Sequence, residues 1–294
     1  MRLAQTTTRR VAGSVAVLAS AVLATALSTV APASAQDVTA AWAPADSAQI
    51  TPGVQMYTEG AQCTGNFVFT DGAGNTYVGY AAHCAGTGAA TDTNGCNAAS
   101  LPLGTRVTFA RGGSLLSGGT EVGQGTLAYS SWRTMQQRGE TDANTCAYND
   151  FALVKVDADD VSKVNPSIPF WGGPVGLDSD GSAAGETVYS YGNSSLRAGI
   201  EALSPKQGAS LGAGGGGWTH PVYTVTPGVP GDSGSAFLDA EGKALGTLST
   251  LAIAPLPASN GVGDLNRELS YAQQHSGIAG LALVPGTEPF SPLL

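Results

Sequence analysis

Short runs of β-branched and aromatic residues, each closed off by Gly, Asn, Asp or Ser, recur along most of this chain and restrict it to an all-β architecture. Arg106 to Ala110, Glu121 to Ser130, Phe151 to Val156, Thr187 to Tyr191, Pro221 to Val225 and Ala244 to Thr250 are such runs. Short strands at turn-punctuated intervals build sandwiches or barrels. The 41 glycines are about twice the usual share of roughly 7%, and charged residues, at 12%, are about half the usual 25% or so, which favours turns over long solvated helices. One helix is predicted, late in the chain. Val262, Leu265, Leu269 and Ala272 recur at helical spacing, Asp264 can cap the start and Gly277 stops it. Asp160 to Leu177, carrying Pro166, Pro169 and Pro174, breaks the strand rhythm and is the expected crossover between two halves. Gly214 to Gly217 lacks a following Lys-Ser or Lys-Thr, which excludes a phosphate loop and leaves a flexible surface loop.

The N-terminus has the grammar of an export signal. Arg2, Arg9 and Arg10 precede an apolar run from Val11 to about Leu27, and Ala33-Ser34-Ala35 supplies the small-x-small cleavage pattern. Residues 1–35 are therefore expected to be removed, with 36–49 as a linker or short propeptide, 50–160 as a first β unit and 161–294 as a second. No other segment is apolar enough to span a bilayer, so no membrane association is expected once the leader is gone. The formal charge of −9 becomes more negative as the leader's arginines leave, which argues against nucleic acid as a partner.

Cys63, Cys84, Cys96 and Cys146 form an even set in an exported chain, so two disulfides are expected among three formal pairings. Phe67 to Thr70 and Tyr77 to Ala81 read as strands joined by the turn-rich Asp71-Gly-Ala-Gly-Asn75. A hairpin there brings Cys63 to Cys84 and leaves Cys96 for Cys146. The cysteine spacing has no metal-binding form, and neither metal nor cofactor is expected.

Three motifs carry chemistry. Ala81-Ala82-His83-Cys84 ends one strand, Asn149-Asp150 opens another, and Gly231-Asp-Ser-Gly-Ser235 forms a tight turn around Ser233. A serine hydroxyl is too weak an acid to attack a carbonyl unaided. It needs an imidazole to take its proton and a carboxylate to hold that imidazole in one tautomer. Singly, each of these residues reads better as a strand-end or turn residue.

Together, in the order His, Asp, Ser, the motifs resemble those of the chymotrypsin-like serine peptidases, in particular the secreted bacterial branch. The likeness runs from about Ile50 to the helix near His275. It implies two antiparallel six-stranded Greek-key β-barrels with a C-terminal helix, a cleft between them, and a monomer acting on protein or peptide substrates without a cofactor. His83, Asp150 and Ser233 would be catalytic, and the N–H groups of Gly231 and Ser233 would form the oxyanion hole. The resemblance also implies a substrate pocket near Pro227, Ser249 and Leu251, with Ser249 bonded to Asp150. Pro227 stands where an acid would select Lys or Arg, which implies a small or apolar preference there, and Leu251 stands where a glycine is common. Ser235 replaces the usual second glycine. No Ile-Val-Gly-Gly terminus is available to pair with Asp232, which is expected to find an internal partner.

Two rivals bear on the same residues. Ser233, Asp264 and His275 stand in the order used by α/β-hydrolases, but Ser235 and the strand-like Ala236 to Leu238 break the elbow that fold requires. A catalytically silent homologue binding a protein through the same cleft is the alternative from another class, and an esterase would use the same triad.

Overall fold

The computed structural model describes residues 42–88, 93–251 and 258–292; the expected leader over 1–35 lies outside them. Fourteen strands and three α-helices form among the described residues. The first sheet takes β1 (Gln55–Thr58), β2 (Ala61–Thr64), β3 (Val68–Thr70), β4 (Thr76–Tyr80), β5 (Arg106–Arg111), β6 (Thr120–Ser130) and β7 (Ala152–Val156). The second takes β8 (Ala184–Tyr191), β9 (Pro205–Leu211), β10 (Thr219–Thr224), β11 (Ala236–Leu238), β12 (Ala244–Leu251) and β13 (Asn260–Asp264). The last strand, β14 (Ala282–Leu283), returns to the first sheet.

The second sheet is a closed six-stranded barrel in the order β10-β13-β12-β11-β8-β9, with all its pairings antiparallel. The first is an eight-stranded sheet, β14-β3-β4-β7-β6-β5-β1-β2. Its β2 and β3 are consecutive pieces of one bent stretch, Ala61 to Thr70. Gly65 N–H still bonds the β1 side at Val54 O, 2.9 Å, while Asn66 N–H already bonds the β4 side at Gly79 O, 2.8 Å. The sheet therefore curls back onto itself, and six strand paths enclose a core around Met56, Val78, Phe109, Leu127 and Val154.

The expected plan of two six-stranded barrels thus gains β14, paired through Ala282↔Thr70 and Leu283↔Phe69. An uncovered β3 edge would leave backbone groups unpaired, and β14 covers it while burying Leu281. A small cluster fills the second barrel, and a larger aromatic one, including Phe67, Phe151, Trp171 and Tyr189, packs the two units together.

The described part of the presumed linker is bound, not trailing. Ala43 N–H reaches Val164 O at 2.9 Å, and Gln49 and Ile50 N–H both reach Lys163 O at 3.0 Å. Of the helices, α1 (Ser131–Arg138) and α2 (Ala143–Tyr148) escape the sequence reading, while α3 (Leu265–His275) matches it. Asp264 caps α3 by accepting the Arg267 N–H at 2.9 Å. Val262, counted with the helix, belongs instead to β13. Gly214 to Gly217 is not a free loop. A side chain on Gly215 would come within 2.3 Å of the Tyr148 ring, so the glycine is needed for α2 to pack there.

Candidate active site

Strand pairing brings the first two candidate residues together. β4 and β7 run antiparallel with Tyr80 opposite Ala152, so the turn after β4 and the residue before β7 lie at the same end of the sheet. His83 sits on that turn, Ala82–Ala85, and Asp150 sits just before β7. Ala82 N–H bonds Asp150 O at 3.2 Å and His83 N–H bonds Asp150 Oδ1 at 2.8 Å, which fixes the carboxylate before the ring is considered. Its other oxygen, Oδ2, lies 2.7 Å from His83 Nδ1. Ser249 Oγ, on β12 of the second barrel, donates to the same Oδ2 at 2.5 Å.

An ionised carboxylate only accepts, so Nδ1 carries the proton and the Nε2 lone pair is left free. Burial opposes the charged imidazolium, but the charge and hydrogen bond of Asp150 outweigh it and hold the His83 pKa above its ordinary value. The His83 side chain keeps 27% of its exposure and that of Asp150 only 5%, so the base is reachable and the carboxylate is not. Trp132 of α1 flanks the ring at 6.4 Å between centroids.

The Ser233 turn belongs to the second barrel but is stitched to the first. Thr64 N–H on β2 bonds Ser233 O at 2.8 Å, Gly234 N–H bonds Leu248 O at 2.7 Å, and Ser235 N–H bonds Asp232 O at 3.0 Å. Gly231 has φ +95°, open only to glycine without strain, and its carbonyl accepts from Thr64 Oγ1 at 2.7 Å and Gln62 Nε2 at 3.0 Å. His83, Asp150, Gly231, Ser233, Ser249 and Leu251 all line one cleft of about 570 Å³. Ser233 faces this cleft without a hydrogen bond to the His83 ring. Pro227 does not line it; its carbonyl faces Arg197, 3.4 Å away. Leu251 lines the cleft and is half exposed.

Asp232 has the internal partners that its sequence context left unnamed. Arg197 Nη2 stands 2.5 Å and Lys206 Nζ 3.1 Å from its Oδ2, and the carboxylate also accepts the Ser194 and Val229 N–H groups. Burial alone would raise the Asp232 pKa, and the two cations reverse this and hold it below its ordinary value. Lys206 is fully buried, and burial pushes its pKa down to about 8. Its approach to Asp232 is close enough for an ion pair but lacks hydrogen-bond geometry, so Arg197 is the principal partner.

Glu268 is a second residue that sequence reasoning missed. It is fully buried on α3, with Oε1 accepting the Asp150 N–H at 3.2 Å and Oε2 the Thr247 hydroxyl at 2.8 Å. Burial drives its pKa well above the ordinary carboxyl value, and the nearby Asp150 charge adds to this. The only sequence signal was a carboxylate at the position before Leu269 on the apolar face of the predicted helix.

The remaining candidates sort by contact. Cys63–Cys84 and Cys96–Cys146 are the disulfides. The sulfurs beside His83 are thus spent on each other and offer no thiolate to a metal. His220 is buried between Asp264, 2.9 Å, and Ser182, 3.1 Å, in the second barrel. Asp264 therefore serves His220 and the helix cap, while His275 ends α3 against Tyr271. The α/β-hydrolase ordering finds no support in this all-β fold.

A double β-barrel with an imidazole–carboxylate pair and a serine turn on one intervening cleft is the architecture of chymotrypsin-like folds. Solved structures of that fold are similar to this chain. Thermobifida fusca protease A is 19% identical, with TM-score 0.49, covering 81% of this chain and 99% of its own. Nocardiopsis protease is 18% identical, with TM-score 0.46, covering 80% and 98%. Cellulomonas bogoriensis chymotrypsin is 17% identical, with TM-score 0.45, covering 80% and 98%. No family model matches the chain, and no curated protein sequence matches it.

Proposed function

We propose that the protein is an exported serine endopeptidase in which Ser233 attacks a peptide carbonyl, His83 carries the proton and Asp150 holds His83. The carrying observation is the 2.7 Å contact of Asp150 with His83 Nδ1, which leaves Nε2 free as a base on the cleft that Ser233 lines. In the first half-reaction, Ser233 Oγ bonds to the carbonyl carbon and its proton passes to His83 Nε2. That proton then goes to the leaving amine, and an acyl-enzyme remains. Water repeats the sequence and releases the acid. The N–H groups of Gly231 and Ser233 would receive the oxyanion, with donors already aimed where the charge appears.

Export is supported by the leader pattern and by the two disulfides. No described helix is long and apolar enough to cross a membrane. Among the described residues, His83 and Asp150 are the only ionisable groups lining the cleft, and Pro227 stands where the resemblance would place an acid to select Lys or Arg, which supports an uncharged residue as the preferred neighbour of the scissile bond.

A fluorophosphonate probe tests the reading. It is expected to label the folded protein and not Ser233→Ala, and peptide substrates with Ala, Leu or Phe before the cleaved bond are expected to outrun those with Arg. Folded protein that takes up no probe would sink the reading in favour of a silent binding module.

A further inference from the structure

We infer that Ser194 is a latch that keeps the Gly231 N–H turned toward the oxyanion, which makes it a positioning residue for the reaction proposed above and rests on that reading. The hole needs the peptide between Pro230 and Gly231 in one orientation. A trans peptide points its C=O and N–H in opposite directions, so whatever holds the carbonyl aims the amide. The Ser194 hydroxyl donates to Pro230 O at 2.6 Å. The Pro230 carbonyl is thereby drawn to the Ser194 side, and the Gly231 N–H points the other way.

The turn Val229-Pro230-Gly231-Asp232, closed by the Asp232 N–H on Val229 O at 2.9 Å with Pro230 and the positive-φ Gly231 at its centre, is compatible with this orientation but does not lock it. Gly231 sits at φ +95°, and glycine accepts mirror-related conformations with little penalty, so the preceding peptide can turn over at low cost. The following peptide is held separately, through the Gly231 carbonyl on Thr64 and Gln62, and that grip leaves the Pro230 carbonyl unconstrained.

Ser194 is itself held firmly. It is 1% exposed, its backbone N–H donates to Asp232 Oδ1 at 3.0 Å, and its Oγ accepts the Leu196 N–H at 3.1 Å. Accepting from Leu196 occupies one lone pair and directs the hydroxyl proton toward Pro230. The ion-paired Asp232 thus reaches the hole by two routes: along the chain to Ser233, and through Ser194 to the peptide before Gly231.

The test compares wild type, Ser194→Ala and Ser194→Thr on one peptide anilide and on the matching peptide boronic acid, which forms a tetrahedral adduct with the nucleophile. Ser194→Ala is expected to lower kcat about 10²- to 10³-fold, as for loss of an oxyanion donor, with KM within about threefold. Boronate affinity is expected to fall in step with kcat, and Ser194→Thr, which keeps the hydroxyl, to recover most of both. Unchanged kcat in Ser194→Ala, or lost kcat with undiminished boronate affinity, would overturn the latch. If Ser194→Ala does not fold, Ser194→Cys keeps the size with a weaker donor, and wild-type kcat in that variant would overturn it equally. Fluorophosphonate labelling of wild type separates the two claims. No labelling removes the hydrolase reading and the latch with it, whereas a labelled enzyme indifferent to position 194 removes the latch alone.

Discussion

Ser249 and Asp150 lie on different barrels, yet the Ser249 hydroxyl donates to Asp150 Oδ2 at 2.5 Å. The carboxylate that orients His83 is therefore gripped by both halves of the molecule, through His83 N–H from the first and Ser249 from the second. Cleft geometry and barrel docking are consequently one property.

Removing that grip alone should be measurable. Ser249→Ala leaves the His83 bonds intact but frees Asp150 on one side, and kcat/KM is expected to fall about tenfold, equivalent to about 1.4 kcal/mol of barrier. Steady-state assay of the purified variant checks it.

The pH profile follows from His83. Only the neutral ring can accept a proton, so kcat/KM should fall as pH drops through a midpoint above the ordinary histidine value of about 6.5. In Asp150→Asn the raising charge is gone and burial remains, so the midpoint should move below that value while kcat falls about 10⁴-fold. The stability linkage has the opposite pH dependence. A raised folded pKa contributes fully below about pH 6.5 and is lost as pH climbs through the folded value. Urea melts of wild type against Asp150→Asn across this range read that contribution.

Asp232→Asn would leave Arg197 and Lys206 buried without an anion, and it is expected to cost about 3–5 kcal/mol in equilibrium unfolding. Lys206→Met should be tolerated, because burial already disfavours the ammonium and Arg197 still balances Asp232. The Asp232 contribution is present above the unfolded carboxylate pKa of about 3.9 and disappears as pH falls through its depressed folded value. Acid titration of wild type and Asp232→Asn by circular dichroism distinguishes the two.

Glu268 should behave in the reverse sense. Its folded pKa is raised, so the unfolded chain releases the proton first and stability is lost as pH rises from about 4.3. Glu268→Gln keeps an acceptor for the Asp150 N–H without that penalty, and its stability relative to wild type should improve between pH 4 and 7. A constant difference across that range would show that Glu268 is ionised in the folded protein.

The disulfides close loops of 21 and 50 residues of separation, for which chain entropy gives about 3 and about 4 kcal/mol. Reduction should therefore lower the unfolding midpoint, with Cys96→Ser/Cys146→Ser costing at least as much as Cys63→Ser/Cys84→Ser.

What the sequence made legible was whatever left a local trace. The strands appeared as apolar runs, the Cys63–Cys84 hairpin as two such runs around a turn, and α3 as a capped periodic stretch. The His83, Asp150 and Ser233 motifs gained meaning only together, in the order that carries the resemblance. The missed pieces depend on distant partners. α1 and α2 have only eight and six residues, too few to establish a period, and are held by burial of Trp132 and by Cys146. Arg197 and Lys206 meet Asp232 only because β8, β9 and the Ser233 turn converge. Glu268 carries no local sign of its role, since nothing in the sequence says that α3 lays that face beneath Asp150. β14 is two residues long and has no pattern of its own, so only the open β3 edge explains it.

That short strand ties the two ends of the chain into one sheet. The N-terminal barrel is completed by residues that follow the whole C-terminal barrel and α3 in sequence, so a chain truncated before residue 282 would leave β3 as a bare strand edge open to its neighbours.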